Sequence, residues 1–309
     1  MTAPATLTTP AMTATPGRPR PVSLVLRVPR VLVMTVAAAG FAVPLLWLLV
    51  APSKSPDDLR SRSPLAWGDV GGYGRAWTNL NSYGDGIITT WILNSAYYTA
   101  AAVLIAVLTC LPAGYTLAMY DFRGRRAILN ATLVMMLVPS AALVLPLFLQ
   151  MVNLRLVNTA WSVILPLGLF PFGVYLSFLY YQSNVPRELV DAARVDGCTE
   201  LRVFRSIGVP LGRPAIGVIG FFAFVQAWNN YFLPFVMFSD DRQYNLQLGL
   251  GALIGSTGAI NPSRGATSVE IFAPEVALAA LLTAAPILVI FMFAQRALVA
   301  GQVSGAVKG

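Results

Sequence analysis

Residues 186–210 read PRELVDAARVDGCTELRVFRSIGVP. Eight of the chain's 34 charged side chains (21 basic and 13 acidic) fall in this stretch. Pro186 suits the first position of a helix, where its missing N–H has no intrahelical partner to lose. Gly197 suits the left-handed position just past a helix end, which a Cβ would strain. Between them, Leu189, Val190, Ala192 and Ala193 share one arc of a helical wheel, and Arg187, Glu188, Asp191 and Arg194 the other. Asp191 stands at the spacing to meet Arg187 at i−4 and Arg194 at i+3. A second short helix starts near Thr199 as N-cap, with Glu200 in the first turn, where the helix dipole favours an acid. Leu201, Val203, Phe204 and Ile207 form its apolar arc, and Pro210 is expected to end it. The stretch therefore reads as two amphipathic helices around a glycine elbow. Resting on lipid would explain the amphipathicity, but not an elbow at this spacing.

The surroundings are apolar. Of 309 residues 56% are hydrophobic and 11% charged, against roughly 25% charged in soluble domains. That composition predicts an all-α integral membrane protein. Six runs meet the requirement of about 20 residues for a bilayer span: 31–50, 87–120, 127–151, 161–181, 214–238 and 276–295. The second is long enough to tilt, to bend at Pro112 or to protrude. Residues 1–30, rich in Thr, Pro and Ala, read as a disordered basic tail. The membrane-spanning body is 31–296, and 297–309 is a C-terminal tail. With the N-terminus inside, the inner segments hold 14 Lys and Arg and the outer loops 7. By the positive-inside rule this orients both termini to the cytoplasm.

The net charge of +8 is accounted for by these loops, so a nucleic-acid partner is not expected. In the outer loop 51–86, Trp67, Tyr73, Trp77 and Tyr83 suit the membrane interface, with ligand stacking as the other reading. Prolines interrupt the spans at 44, 112, 139, 146, 166, 171, 234 and 286; they read as kinks satisfied by neighbouring helices, or as hinges. No Asp, Glu, Lys or Arg lies in the spans as drawn, whereas an ion-coupled carrier usually keeps an ionisable group there. There is no GxxxxGK[ST] loop for ATP, and no histidine for a metal or a general base. Cys110 and Cys198 suggest no disulfide. No catalytic residue, metal or cofactor is therefore expected. A pore of this kind draws energy from outside or is passive.

At this point a resemblance becomes specific. Asp191-Ala192-Ala193, three residues, Gly197, nine residues, then Ile207-Gly208-Val209-Pro210 resembles the EAA loop of ABC importer permeases: EAA, three residues, Gly, nine residues, I-x-L-P. Asp191 replaces Glu and Val209 replaces Leu. The segment WNNYFLPFVMFSDDRQYNLQLGL (228–250) is similar to the WNDF-x-x-P segment and following short outer loop of MalG-type carbohydrate permeases, with Asn230 where Asp is usual. FAQRALVAGQVSGAVKG (293–309) resembles the tail of that subfamily.

The resemblance implies a six-helix permease of the type I ABC importer fold in a bacterial inner (cytoplasmic) membrane. It implies a second homologous permease, two cytoplasmic ABC ATPase subunits that hydrolyse the ATP, and an extracytoplasmic sugar-binding protein. The loop 186–210 becomes the coupling helix, entering a groove on the ATPase. Glu188 and Asp191 would pair with basic residues at the rim, Ala192 and Ala193 belong to the motif, and Gly197 permits the turn. Leu201 and Phe204 anchor the knob in the groove or pack beneath it, and Ile207 and Pro210 close the motif. Trp228, Asn229, Asn230 and Tyr231 carry amides and aromatic faces suited to a sugar; interhelix hydrogen bonding is the other reading. A polyol, glycerol phosphate or another small solute stays open as substrate, and an uncoupled channel or carrier as a different class.

Overall fold

In a computed structural model, residues 24–256 and 271–306 are described, with side chains over 29–256 and 271–295. Much of the expected N-terminal tail, and the last three residues of the C-terminal one, lie outside these. Every regular element among the described residues is helical. The chain divides at Leu46/Trp47 into two units. The first holds most of α1 (Leu24–Val50), which begins seven residues before the apolar run and stays helical through Pro29 and Pro44. Val31, Leu32, Val36 and Phe41 are all exposed, as suits a helix whose solvent is lipid.

The second unit opens with a short 3₁₀ turn (Ala51–Ser53), α2 (Pro56–Ser61) and α3 (Gly72–Ser82). Lys54 is buried here, its Nζ donating to the carbonyls of Ser63 and Pro64 at 2.8 and 3.0 Å. The central element is α4 (Ile87–Met119), which accommodates Pro112 without ending. Against it pack α7 (Trp161–Gly168), α8 (Pro171–Asn184) and α12 (Arg213–Trp228). The α4–α8 seam is close because Gly114 faces Ser177: a Cβ on Gly114 would lie 2.2 Å from the Ser177 Cβ. Small residues permit such approach where no hydrophobic force drives helices together.

Three expected spans are not single helices. The third divides into α5 (Arg125–Leu137) and α6 (Ser140–Asn153), bent by 106°. Pro139 donates no hydrogen bond and drives Val138 into an extended conformation (ψ 124°). The fourth breaks at Leu169–Phe170, ahead of Pro171. The fifth ends at Trp228 and resumes as α13 (Phe232–Met237). Among the described residues four stretches are long and apolar enough to cross a bilayer (29–53, 72–119, 161–184 across its break, and 273–295), and up to six if α5 with α6, and 200–211 with α12, each count as one span. One further helix, α14 (Leu246–Ser256), lies in what reads as an outer loop. The last, α15 (Ala273–Ala306), starts three residues before the apolar run and so takes Glu275 into its first turn. Its Oε1 accepts from Asn79 Nδ2 and its Oε2 from the Phe272 N–H, each at 3.0 Å. A span with no ionisable residue is thus corrected at its edge.

Candidate functional site: the glycine-elbowed knob

The elbow forms as expected, and a specific set of hydrogen bonds forms it. α9 (Arg187–Val195) ends with Gly197 N–H donating to Arg194 O and Cys198 N–H to Ala193 O, both at 3.0 Å. This is the double-bonded C-terminal motif that requires a left-handed residue, and Gly197 has φ +78°. A Cβ there would meet nothing within 4 Å; the glycine is needed for its backbone angle, not for space. Ala193 and Cys198 each pack against the core beneath.

α10 (Glu200–Val203) then begins, with Thr199 as N-cap residue but without a capping bond from its side chain. It passes through a π turn (Phe204–Gly208) into the single turn α11 (Val209–Leu211). Pro210 therefore does not end the helix. The π bond from Val209 N–H to Phe204 O widens the turn ahead of the proline, where a regular turn would meet the pyrrolidine ring. The run ends one residue later, at Leu211, bending by 74° into α12.

The two apolar arcs divide into an inner and an outer set. Val190 and Val203 are each 1% exposed. Phe204 packs on Tyr115, ring centroids 5.0 Å apart, and Ile207 joins the same cluster. Leu189, Ala192, Val195 and Leu201 face outward, Val195 being 87% exposed. Phe204 thus packs beneath the knob, and Leu201 remains available on its surface. Glu188 and Asp191 are exposed on the same side.

The knob is held to the end of α4 by ion pairs that neighbouring spacing did not reveal. Arg187 meets Asp121, not Asp191: its Nη1 lies 3.0 Å from Oδ2, and its Nη2 donates to Ala118 O at 2.9 Å. Asp121 also holds Arg125 at 2.6 Å. Hydrogen bonding from Arg187, then the nearby guanidinium charges, keep the Asp121 carboxyl below its ordinary value. Arg194 does meet Asp191, at 2.8 Å, and also Glu200 at 2.9 Å. Its guanidinium lies 5.0 Å over the Tyr120 ring, whose hydroxyl donates to Glu200. The bond from Arg194, followed by that from Tyr120, holds the Glu200 carboxyl below its usual range; Glu200 in turn raises Arg194. From below, Tyr181 and Tyr180 donate to the carbonyls of Gly208 and Leu211, each at 2.9 Å. Exposed pairs are worth little singly; here several converge on Leu117–Asp121.

The second group of expected residues separates. Trp228 is 6% exposed, stacks on Phe224 and donates through Nε1 to Thr283 O at 2.8 Å. Asn230 accepts from Leu233 N–H (3.1 Å), starting α13, and its carbonyl accepts from Asn245 Nδ2 (2.7 Å). Both side chains are thus engaged in structure. Asn229 and Tyr231 remain exposed at the break between α12 and α13. Gln247 of α14 donates to Asn229 at 3.4 Å, adding an amide that no motif signalled.

The family described as the inner membrane component of binding-protein-dependent transport systems matches residues 110–302. The chain is 36% identical over 224 residues to the arabinooligosaccharides transport system permease protein AraQ of Halalkalibacterium halodurans, spanning 72% of this chain and 76% of that one. It is 30% identical over 267 residues to the diacetylchitobiose uptake system permease protein NgcG of Streptomyces coelicolor, 85% and 82% of the two chains. A solved bacterial ABC transporter involved in the import of the acidic polysaccharide alginate shares the fold, with a TM-score of 0.75 at 22% identity over 91% of this chain and 99% of that one.

Proposed function

Because the chain belongs to the family of inner membrane components of binding-protein-dependent transport systems, we propose that it is the sugar- or oligosaccharide-translocating subunit of an ABC importer, driven through the 186–210 knob. The observation that carries this reading is the knob itself. It presents Leu189, Val195 and Leu201 outward, while Arg187 on Asp121, and Arg194 and Glu200 on Tyr120, tie it to the end of α4. A docked ATPase gains apolar contact from the first set, and the second set carries its displacement into the helix around which the bundle is packed.

In this mechanism both termini face the cytoplasm and six crossings are made, the bent pairs included. The two ATPase subunits close on ATP, and the knob moves with its groove. The helices then rotate from inward-open to outward-open, where a binding protein delivers the solute. The knob supplies the differential contact that any such shift requires. Hydrolysis is performed by the partners. Relatives named for arabinooligosaccharide and diacetylchitobiose uptake support a carbohydrate as solute. Asn229 and Tyr231, with Gln247 beside them, are the groups of this chain that would contact it.

The test is uptake of labelled oligosaccharides into proteoliposomes holding both permeases, the ATPases and the binding protein. ATP-dependent accumulation is expected, with weaker apparent affinity in Asn229→Ala. Equal accumulation without the ATPases would remove the coupling role. Unchanged affinity and rate in Asn229→Ala would remove this chain from the sugar path.

A further inference from the structure

Beside the knob, where α5 begins, a pocket of about 660 Å³ opens between the 121–127 segment and α8. Its walls are of two kinds. Phe122, Leu129 and Phe178 give it an apolar side; Arg125 and Arg126 lie on its charged side, with Asp121. The two arginines are not equivalent. Arg125 is committed: it pairs with Asp121, donates to Leu117 O at 2.7 Å, and its guanidinium carbon lies 6.0 Å from the Phe178 ring centroid. Arg126 is exposed and pairs with no carboxylate among the described residues, and the same holds for Arg123 in the same loop. The one acid, Asp121, is shared by Arg125 and Arg187. Two guanidinium groups therefore share one carboxylate, and Arg126, left without one among the described residues, lines the pocket.

We propose that this pocket binds an anionic phospholipid, its phosphate diester on Arg126 and the upper part of its acyl chains against Phe122, Leu129 and Phe178. A free phosphate would use the cations alone and leave the apolar wall wet. A zwitterionic lipid carries its phosphate beside a quaternary ammonium, which the arginines repel, and so offsets less of their charge. Only a ligand joining a negative head to hydrocarbon fits both sides, and the pocket lies at the end of apolar helices, where such a ligand is at hand. The inference stands on the membrane reading of these helices and is independent of the coupling mechanism.

Native mass spectrometry of the assembled complex, titrated with phosphatidylglycerol or phosphatidylcholine, tests it. One basic residue near an anionic lipid surface corresponds to about a fivefold change in affinity. Arg126→Gln should weaken phosphatidylglycerol retention about fivefold and phosphatidylcholine retention by clearly less. Arg126→Lys should restore most of it, and inorganic phosphate should not displace the lipid. Arg126 is exposed, so the variants are expected to fold; a thermal melt checks this. Equal phosphatidylglycerol retention by the wild type and Arg126→Gln overturns the proposal. Displacement by inorganic phosphate overturns it in favour of a free anion. Loss of the ATPases from Arg126→Gln with lipid retention intact overturns it in favour of a protein contact.

Discussion

Replacing Gly197 in turn by alanine, asparagine and arginine separates what the elbow needs for folding from what it does on docking. The backbone there holds φ +78°, and an L-residue in left-handed geometry costs about 1–2 kcal/mol, less for asparagine. A Cβ meets no atom within 4 Å, so no steric term adds to this within the chain. In the isolated subunit alanine and arginine should therefore lower the melting midpoint equally, and asparagine less. In the assembled complex they should diverge. Alanine and asparagine retain most solute-stimulated ATP hydrolysis, because a strain of this size leaves the elbow the favoured conformation once the groove holds it. Arginine is expected to abolish the stimulation, because a long cation then stands at the tip that the proposed docking puts into the groove. The assay is ATP hydrolysis in proteoliposomes with binding protein and sugar, beside a melt of the subunit alone. Stimulation by Gly197→Arg equal to that by Gly197→Ala would refute the docking role of this tip.

Asp121→Asn frees both Arg187 and Arg125, and should leave a folded, assembled subunit that hydrolyses more ATP per solute transported; an unchanged ratio contradicts the tie to α4. Gly114→Ala forces α4 away from Ser177 and the Phe178 backbone, and should destabilise the subunit by about 1–3 kcal/mol, seen as a lower thermal midpoint; an unchanged midpoint contradicts the close seam. Because Asp121 and Glu200 are both depressed, their pairs contribute fully above the ordinary carboxylate values and are lost only as pH falls below them. Knob protection in hydrogen exchange, corrected for intrinsic rates, should therefore hold from neutral pH down to the ordinary glutamate value of 4.5; a loss near pH 6 contradicts the assignment.

The parts of this site legible in the sequence are those governed by backbone chemistry at short range. The Gly197 elbow and the Asp191–Arg194 pair follow from residues within a few positions of one another, as does the α9 start, although Pro186 is the N-cap and not the first helical residue. The Arg187 partner is 66 positions away, whereas a local reading assigns it to Asp191, one helical turn on. Which of Leu201 and Phe204 turned inward depended on Tyr115 and Tyr181, rings supplied by α4 and α8. Hydropathy registered that 127–151 is apolar but not that its backbone is discontinuous, since a window average is blind to the angle at Pro139. α14 went unread because eleven residues are too few to signal a crossing. Trp228 looked like a ligand platform because its residue type suits one; its indole N–H is already engaged by Thr283 O.

The central claim is that the knob moves as one body with the ATPase. Pulsed electron spin resonance between a label at position 195 and one on the partner permease's own knob measures that movement directly. With binding protein and sugar present, the account predicts a shorter distance on ATP binding that relaxes after hydrolysis, while a second pair within this chain, 195 to the exposed position 122, stays constant. A knob-to-knob distance unaffected by ATP, or a 195-to-122 distance that changes with it, would contradict the account.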